Sequence, residues 1–284
     1  MIYLPILGSF LEATGAILHK KVLRKHKVDY KNFTVYCFLA LVLVMLPIIY
    51  FFWNLEPGAM KLNNILIFLS IIIISIFANL FTFYSLKRTD LSKLEPIRLM
   101  HPLFTFLLAF IFSFFFTAYH SEKNFSILGL ALIASIALII PHIKKQHFSL
   151  NKYLIAALIG SFLFALELVI SKSILFYYSP LTFYFLRCLS IFLITFIIFS
   201  PKITPIKNKT KFIIFIIGMI AVIYRMILYY GYLNLGILFT TMLFLLAPIL
   251  IYIFAAIFLK EKIHLKHIIS SAIIIACIIA AIIL

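Results

Sequence analysis

The sequence predicts an all-α integral membrane protein with ten transmembrane helices, arranged as two inverted five-helix repeats. Three observations lead to this fold class. The 284 residues are 65% hydrophobic and only 12% charged, with a mean hydropathy of +1.19, whereas soluble domains are about half apolar and about a quarter charged. Apolar stretches of membrane-crossing length recur along the chain, and the second half repeats features of the first.

The first five predicted spans follow one another with short polar connectors. A helix needs about 20 apolar residues to cross the hydrocarbon core of a bilayer. By that criterion the first half contains spans at 2–19, 33–53, 64–86, 94–117 and 125–143. The first span lacks the basic leading segment and the small-residue cleavage site of a signal peptide, so we predict a retained helix.

The same criterion gives five spans in the second half, at 153–177, 180–200, 211–233, 236–259 and 265–284. Their connectors are too short to form a separate soluble domain. Cys37, Cys188 and Cys277 all fall inside apolar spans and form no spaced Cys or Cys/His cluster. This placement predicts buried packing roles for the three thiols, with no disulfide, metal site or cofactor.

The basic residues are sorted by side of the membrane. Connectors after odd-numbered spans hold 19 of the 25 Lys and Arg residues; the other six are Arg98, Arg187 and Arg225 within spans, and Lys61, Lys123 and Lys172 on the opposite side. Lys and Arg mark the cytoplasmic side, so the count places both termini outside. The net charge of +17 therefore reflects topology, and we expect no nucleic-acid partner.

The two halves are related by a repeat. The sequence Gly-Ser-Phe-Leu occurs at 8–11 and again at 160–163, an offset of 152, and 101–112 resembles 247–258 at an offset of 146. Each half has an odd number of spans, so the second must be inverted relative to the first. We predict repeats at 1–146 and 147–284. Inverted repeats are typical of secondary transporters, whose substrate sites lie near the midplane.

The closing stretch 238–284 resembles the last helices of EamA-type members of the drug/metabolite transporter superfamily, with a mid-helix proline, Pro248, a Leu-Lys-Glu-Lys turn and a terminal apolar helix. The stretch 179–194 is similar to the seventh helix of that family, with Arg187 on its recurrent arginine. The stretch 97–110 is similar to the matching fourth helix.

The whole chain fits the ten-helix, two-repeat plan of that family, with three departures. Leu39 stands where a repeat-related arginine would fall, the 118–125 turn is unusual, and Ser270-Ser271 replaces the glycine usual in the last helix. The resemblance implies a transporter with cytoplasmic termini. The charge count implies the opposite orientation, so both orientations stay open at this point.

Two acids lie inside predicted spans. Glu12 shares a helix face with Gly8 and Gly15, and Glu167 shares the equivalent face of the sixth span with Gly160. A carboxylate facing lipid is costly, so both are predicted to point inward. We interpret them as cavity-lining charge partners or proton-coupling groups; static ion pairs between helices are the alternative.

Basic and aromatic residues supply candidate partners for these acids. Arg187 lies in the seventh span, and Arg225 and Tyr229 share a face of the eighth. Asn79 is the repeat counterpart of Arg225. We interpret these four residues as substrate contacts. The alternatives are structural pairing or snorkelling for the arginines and ordinary packing for Tyr229.

The fourth span adds a second candidate group. Arg98 and His101 lie on roughly one face of this span, and Glu95 is one turn away, where it would simply neutralise Arg98 in the structural alternative. Pro102 and Pro248 are repeat-related prolines inside spans. We predict that these prolines kink or loosen helices at the seam between the repeats.

The function predicted from these features is that of a secondary transporter, moving a small polar metabolite such as an amino acid or related organic ion by alternating access. Its partners would be the lipid bilayer and a small-molecule substrate, and its location the cell membrane, as a multi-pass protein; association of several copies stays open. The alternatives are an integral-membrane enzyme acting on lipid or prenyl substrates, or a channel-like subunit. No acid cluster suited to Mg²⁺ and no phosphate-binding loop is present, which disfavours an enzyme and direct use of ATP.

Overall fold

The computed structural model describes residues 3–25, 29–89, 94, 97–142, 151–201, 208–250, 253 and 265–284. Within those ranges ten α-helices of eight residues or more follow one another, and the predicted fold class is confirmed. They are α1 (Tyr3–Lys20), α2 (Tyr30–Phe52), α3 (Leu62–Arg88), α4 (Met100–Phe115), α5 (Phe125–Ile139), α6 (Lys152–Leu175), α7 (Pro180–Phe199), α8 (Asn208–Asn234), α9 (Ile237–Phe244) and α10 (Leu265–Ile283).

Most of these helices have membrane-crossing length. Among the described residues, α2, α3, α6, α7, α8 and α10 are long and apolar enough to cross a bilayer. The helices α4 and α5 and the stretch Ile237–Leu250 are apolar but shorter. The 18-residue α1, which carries Glu12 and His19, completes the set.

Two of the predicted spans are interrupted at equivalent points. Turns at Leu99 and Leu245 break the fourth and ninth spans, and these positions differ by 146, the offset between the halves. A proline follows three residues after each turn, at Pro102 and Pro248. Proline has no N–H and its ring clashes with the carbonyl four residues earlier, so one α-helical hydrogen bond is missing at each point and an interruption is favoured there. Helix α4 therefore begins at Met100, later than the predicted boundary.

The packing between the halves follows a pseudo-twofold pattern. If each helix of the first half is exchanged with the helix five places later, the largest contacts between halves map onto one another or onto themselves. Helix α3 packs on α6 as α8 packs on α1, α4 on α6 as α9 on α1, and α2 on α8 as α7 on α3. Helices α2 and α7 pack on each other, as do α5 and α10. This pattern is expected of inverted repeats.

Two hydrogen bonds reproduce the same symmetry at the atomic level. The Ser9 hydroxyl lies 3.4 Å from the carbonyl oxygen of Leu243, to which it donates, and the Ser161 hydroxyl donates to the carbonyl of Ile97 at 3.3 Å. The two serines differ by 152 positions and the two acceptors by 146, which are the offsets read from the sequence. The repeat register is therefore the same in the folded chain.

Glycines allow the halves to approach closely at these contacts. A Cβ on Gly160 would lie 2.7 Å from the Thr82 hydroxyl of α3 and 3.4 Å from the Ala78 carbonyl oxygen. At the equivalent Gly8, a Cβ would lie 2.4 Å from the Phe244 ring. Any larger side chain at either position would force the two helices apart.

Four connectors share one end of the bundle with both chain ends, and we call this end the terminal face: 53–61, 116–124, 176–179 and 235–236. On the terminal face the Glu56 amide donates to the Tyr177 carbonyl at 2.9 Å, and the Ser179 amide donates to the Asn54 carbonyl at 3.1 Å. These bonds join a connector of the first half to one of the second.

A buried carboxylate makes a second link on the terminal face. Glu122, 2% exposed, accepts hydrogen bonds from the backbone amides of Ile237 at 2.7 Å and Leu238 at 2.9 Å. It also forms an ion pair with Lys172 of α6. We call this group the Glu122 bridge. A carboxylate is favourable there because the first amides of a helix lack partners within the helix.

Candidate functional site

A buried acid lies in the interior of the second half. Glu167 of α6 is fully buried, eight positions before the end of the helix at Leu175. The Ser171 hydroxyl, one turn further along, lies 2.7 Å from the Glu167 carbonyl oxygen and 3.3 Å from its Oε1. A carboxylate at this depth is tolerated only when charged or hydrogen-bonding partners surround it.

The first partner is Arg187 of α7, which is 2% exposed. Its Nη1 donates to Glu167 Oε1 and, at 2.7 Å, to the hydroxyl oxygen of Tyr229 on α8. The same hydroxyl lies 3.5 Å from Glu167 Oε1. Three helices of the second half, α6, α7 and α8, therefore meet at one charge-assisted contact.

Arg225 of α8 is the second cation. Its Nη1 lies 3.5 Å from Glu167 Oε2. Its guanidinium carbon lies 5.7 Å from the ring centroid of Tyr184 and 5.5 Å from that of Tyr229. The guanidinium of Arg187 also lies over Tyr184, at 5.1 Å. Aromatic faces stabilise cations in desolvated surroundings, so these five residues form one unit, the Glu167 cluster.

The Glu167 cluster contains buried polar atoms without hydrogen-bond partners. They are Glu167 Oε2, Arg187 Nε and Arg225 Nη1. Buried polar groups in folded proteins nearly always find partners, and two of these atoms, Glu167 Oε2 and Arg225 Nη1, face each other at 3.5 Å across an ion pair. Two of the three are donors and one is an acceptor. The cluster can therefore take up a further acceptor group.

Two other predicted residues, Asn79 and Glu12, do not belong to this cluster. Asn79 of α3 donates to the carbonyl of Ser75 in its own helix, at 2.8 Å, and is not brought into the cluster. Glu12 is half-buried on α1, which packs on α8 and α9. It acts electrostatically on Tyr224, the residue before Arg225.

The second predicted group lies at the start of α4. Arg98 and His101 are both half-buried, and the charges of Arg98 and Arg225 both act on His101. The His101 Nε2 has no hydrogen-bond partner, and its ring lies edge-on to Phe164 of α6 at 6.5 Å. His101 thus connects α4 electrostatically to Arg225.

The cluster has no charged counterpart in the first half. The repeat offsets place Gly15 at the position equivalent to Glu167, and Asn79 and Phe83 at the positions equivalent to Arg225 and Tyr229. The charged site is therefore asymmetric, although the surrounding helices are symmetric.

Aromatic packing occupies the equivalent region. The Phe83 ring packs edge-on against Phe33, with centroids 4.9 Å apart, and against His19 at 5.6 Å. Phe33 and Phe83 belong to an apolar core with Val22, Leu23 and Ile213. At the positions equivalent to the Glu167 cluster, the bundle is held by burial of apolar surface.

A cavity of about 430 Å³ opens on the terminal face near the cluster. Its lining includes Ser121, Lys172, Tyr232, Asn234 and Gly236. Lys172 directly follows Ser171, the residue bonded to Glu167. The cavity therefore lies about one helical turn above the cluster along α6.

Sequence reasoning missed three participants. Tyr184 lies one turn before Arg187 on α7, a spacing that could have identified it as a ring beside the guanidinium. Lys172 was notable as one of only three lysines on its side of the membrane. The contact of Glu122 with α9 had no signal in the sequence, because it depends on how distant connectors fold together.

The remaining predictions concern the three cysteines, metal binding and three features that lie outside the described residues. Cys37, Cys188 and Cys277 are buried free thiols. Within the described ranges, no group of three His, Cys, Asp or Glu side chains is arranged to hold a metal ion. Glu95, the 259–262 turn and the predicted repeat boundary at 146/147 lie outside the described residues.

Comparison with known proteins identifies the relatives of this architecture. The model of the EamA-like transporter family matches the chain twice, over residues 1–140 and 151–283. A solved crystal structure is similar with a TM-score of 0.68 at 13% sequence identity, covering 99% of this chain and 94% of that chain. At that identity the likeness concerns the fold alone. No curated protein matches the sequence.

Proposed function

Because the chain belongs to the EamA-like transporter family, and is thus a membrane transporter of the drug/metabolite kind, we propose that it moves a small polar metabolite by alternating access. An amino acid or a related organic ion is the expected substrate class, and the cell membrane the expected location. The Glu167 cluster is the observation that carries this proposal. It places one carboxylate and two guanidinium groups inside the membrane-spanning part of the bundle, where charges are rare and usually functional.

The proposed mechanism uses the symmetry of the two halves. Helices α4 and α9 are interrupted at equivalent points, and broken helices commonly line transporter substrate sites. In one state the halves are joined on the terminal face by the Glu122 bridge and by the paired connectors at Glu56 and Tyr177. Rocking of the halves would open these links and expose the site to the terminal face.

The predicted residues take distinct roles in this proposal. Arg225 would contact the substrate and Arg187 would hold Glu167 in place. Glu167 and Glu12 would act as charge partners or proton-coupling groups. Arg98 would contribute positive potential at the start of α4, and His101 would offer a ring nitrogen, Nε2, that has no hydrogen-bond partner. These roles follow from burial and contacts of each side chain, and each can be tested by substitution.

Transport in proteoliposomes tests the proposal. Purified protein is reconstituted, and uptake of radiolabelled amino acids is measured by counterflow, which requires saturable exchange and so separates a carrier from a channel. Glu167→Gln and Glu12→Gln are compared with wild type from pH 5 to 8. We expect Glu167→Gln to reduce the rate at least tenfold and Glu12→Gln to change its pH dependence.

A matched control is Glu56→Gln, which neutralises an exposed acid on the terminal face, keeps the backbone amide that bonds to Tyr177 and should leave the transport rate unchanged. If wild type transports and both intramembrane variants match it at every pH, the proposed roles of Glu12 and Glu167 are rejected. Non-saturable flux would favour a channel.

A further inference from the structure

The Glu167 cluster has more positive than negative charge. Glu167 is the acid that acts most strongly on both Arg187 and Arg225, so one carboxylate faces two guanidinium groups. An uncompensated charge in the interior of a membrane protein is costly. Among the five residues of the cluster, a second negative group is therefore the missing complement.

The two arginines are not equivalent. Arg187 is fixed on Glu167 Oε1 and on the Tyr229 hydroxyl, and it is almost fully buried. Arg225 is held more loosely, because its Nη1 lies 3.5 Å from Glu167 Oε2 and makes no hydrogen bond. Arg187 consequently has a structural position, whereas Nη1 of Arg225 makes no hydrogen bond.

The unsatisfied atoms specify the chemistry of the missing group. Arg187 Nε has no acceptor, and Arg225 Nη1 has only Glu167 Oε2, at the ion-pair distance of 3.5 Å. A carboxylate offers two acceptor oxygens in one plane, a geometry that matches a guanidinium and forms the stronger, charge-assisted kind of hydrogen bond. An ammonium group would offer donors only and would add a third cation.

We infer that the substrate is a small organic anion whose carboxylate binds Arg225 in the Glu167 cluster. The inference rests on the proposed function, since it assigns a substrate class to the same site. The faces of Tyr184 and Tyr229 beside Arg225 would contact an apolar or aromatic body attached to that carboxylate.

Isothermal titration calorimetry on purified protein in nanodiscs tests the inference. The probes are acetate, benzoate and phenylacetate, each compared with the amide and the amine of the same carbon skeleton. We expect at least one carboxylate to bind ten or more times tighter than its amide, and the amines not to bind. Arg225→Gln should weaken binding of that carboxylate at least tenfold while leaving the Glu167–Arg187 pair intact.

Arg88→Gln is the matched control, because it removes an exposed guanidinium at the end of α3 and should bind the carboxylate as wild type does. Arg225→Lys keeps the charge without the planar donors and should give an intermediate affinity. Binding of amines, equal binding of amides, binding of none of the probes, or full affinity in Arg225→Gln would each overturn the inference.

The two proposals fail separately. Saturable transport of neutral or cationic substrates in proteoliposomes would reject the anion assignment and leave the transporter proposal standing. Carboxylate binding at Arg225 without any transport would reject the transporter proposal and leave the carboxylate site at Arg225 standing.

Discussion

Substitution of Glu122 should destabilise the protein strongly, although this residue lies outside the Glu167 cluster. Glu122→Gln keeps the shape of the side chain but removes its charge. One oxygen can still accept from Ile237 or Leu238, whereas the new amide group would face a backbone donor. Lys172, with its side chain only 10% exposed, would lose its carboxylate partner.

The size of the effect follows from burial of the pair. Removing one partner of a buried ion pair costs about 3–5 kcal/mol, because the other charge stays buried and unpaired. Lys172 borders the cavity on the terminal face and can extend its ammonium toward water, so the lower end, about 3 kcal/mol, is expected. On the scale of soluble domains this corresponds to a fall in Tm of about 6–12 °C.

Thermal unfolding in detergent at a fixed scan rate provides the measurement. Lys172→Met and the double variant complete a cycle, and the double variant should lose less stability than the sum of the two single variants. Glu56→Gln is the control and should not shift Tm. Additive single effects below about 1 kcal/mol, the range of exposed pairs, would refute the assignment of a buried, coupled bridge.

Two further predictions concern stability. Gly160→Ala should lower Tm through overpacking against Thr82, at a cost of about 1–3 kcal/mol, whereas Gly129→Ala, whose new Cβ meets nothing within 4 Å, should be neutral or stabilising; equal Tm values would contradict the close contact. Partial burial raises the pKa of Asp29, but the hydrogen bond and charge of Lys87 oppose this effect. The pKa of Asp29 is therefore below its ordinary value. The pair therefore stabilises the fold at pH values above the ordinary aspartate pKa, and this stability is lost as the pH falls through the lowered pKa. Asp29→Asn should remove that pH dependence in thermal unfolding. Its effect at neutral pH should be small, because the side chain is 46% exposed.

The helices and their repeat could be predicted because both depend on local or periodic features of the sequence. Span length and hydropathy located the ten helices, and the offsets of 152 and 146 correctly related Ser9 to Ser161. The interruptions were harder to place. Pro102 indicated a weakened helix. The position of the turn at Leu99 depends on how the preceding residues pack, and a hydropathy profile does not describe packing.

The candidate site could be predicted only in part. Glu167, Arg187, Arg225 and Tyr229 were identified because ionisable and polar groups are rare inside spans, and the structure brings all four together. Which arginine Glu167 would hold could not be predicted, because that choice depends on the rotation of α7 and α8 about their axes. Asn79 was grouped with them by repeat position, yet it bonds within its own helix.

The asymmetry of the Glu167 cluster has a consequence for how the two halves can diverge. In an assembly of two identical five-helix chains, every substitution would appear twice, and a charged site in one copy would be duplicated in the other. Here a single polypeptide carries both copies. Glu167 could therefore arise without a second acid at the equivalent position of the first half, which is Gly15. Covalent fusion thus lets the two copies differ, so that the second half carries the Glu167 cluster while the first half keeps aromatic packing at the equivalent positions.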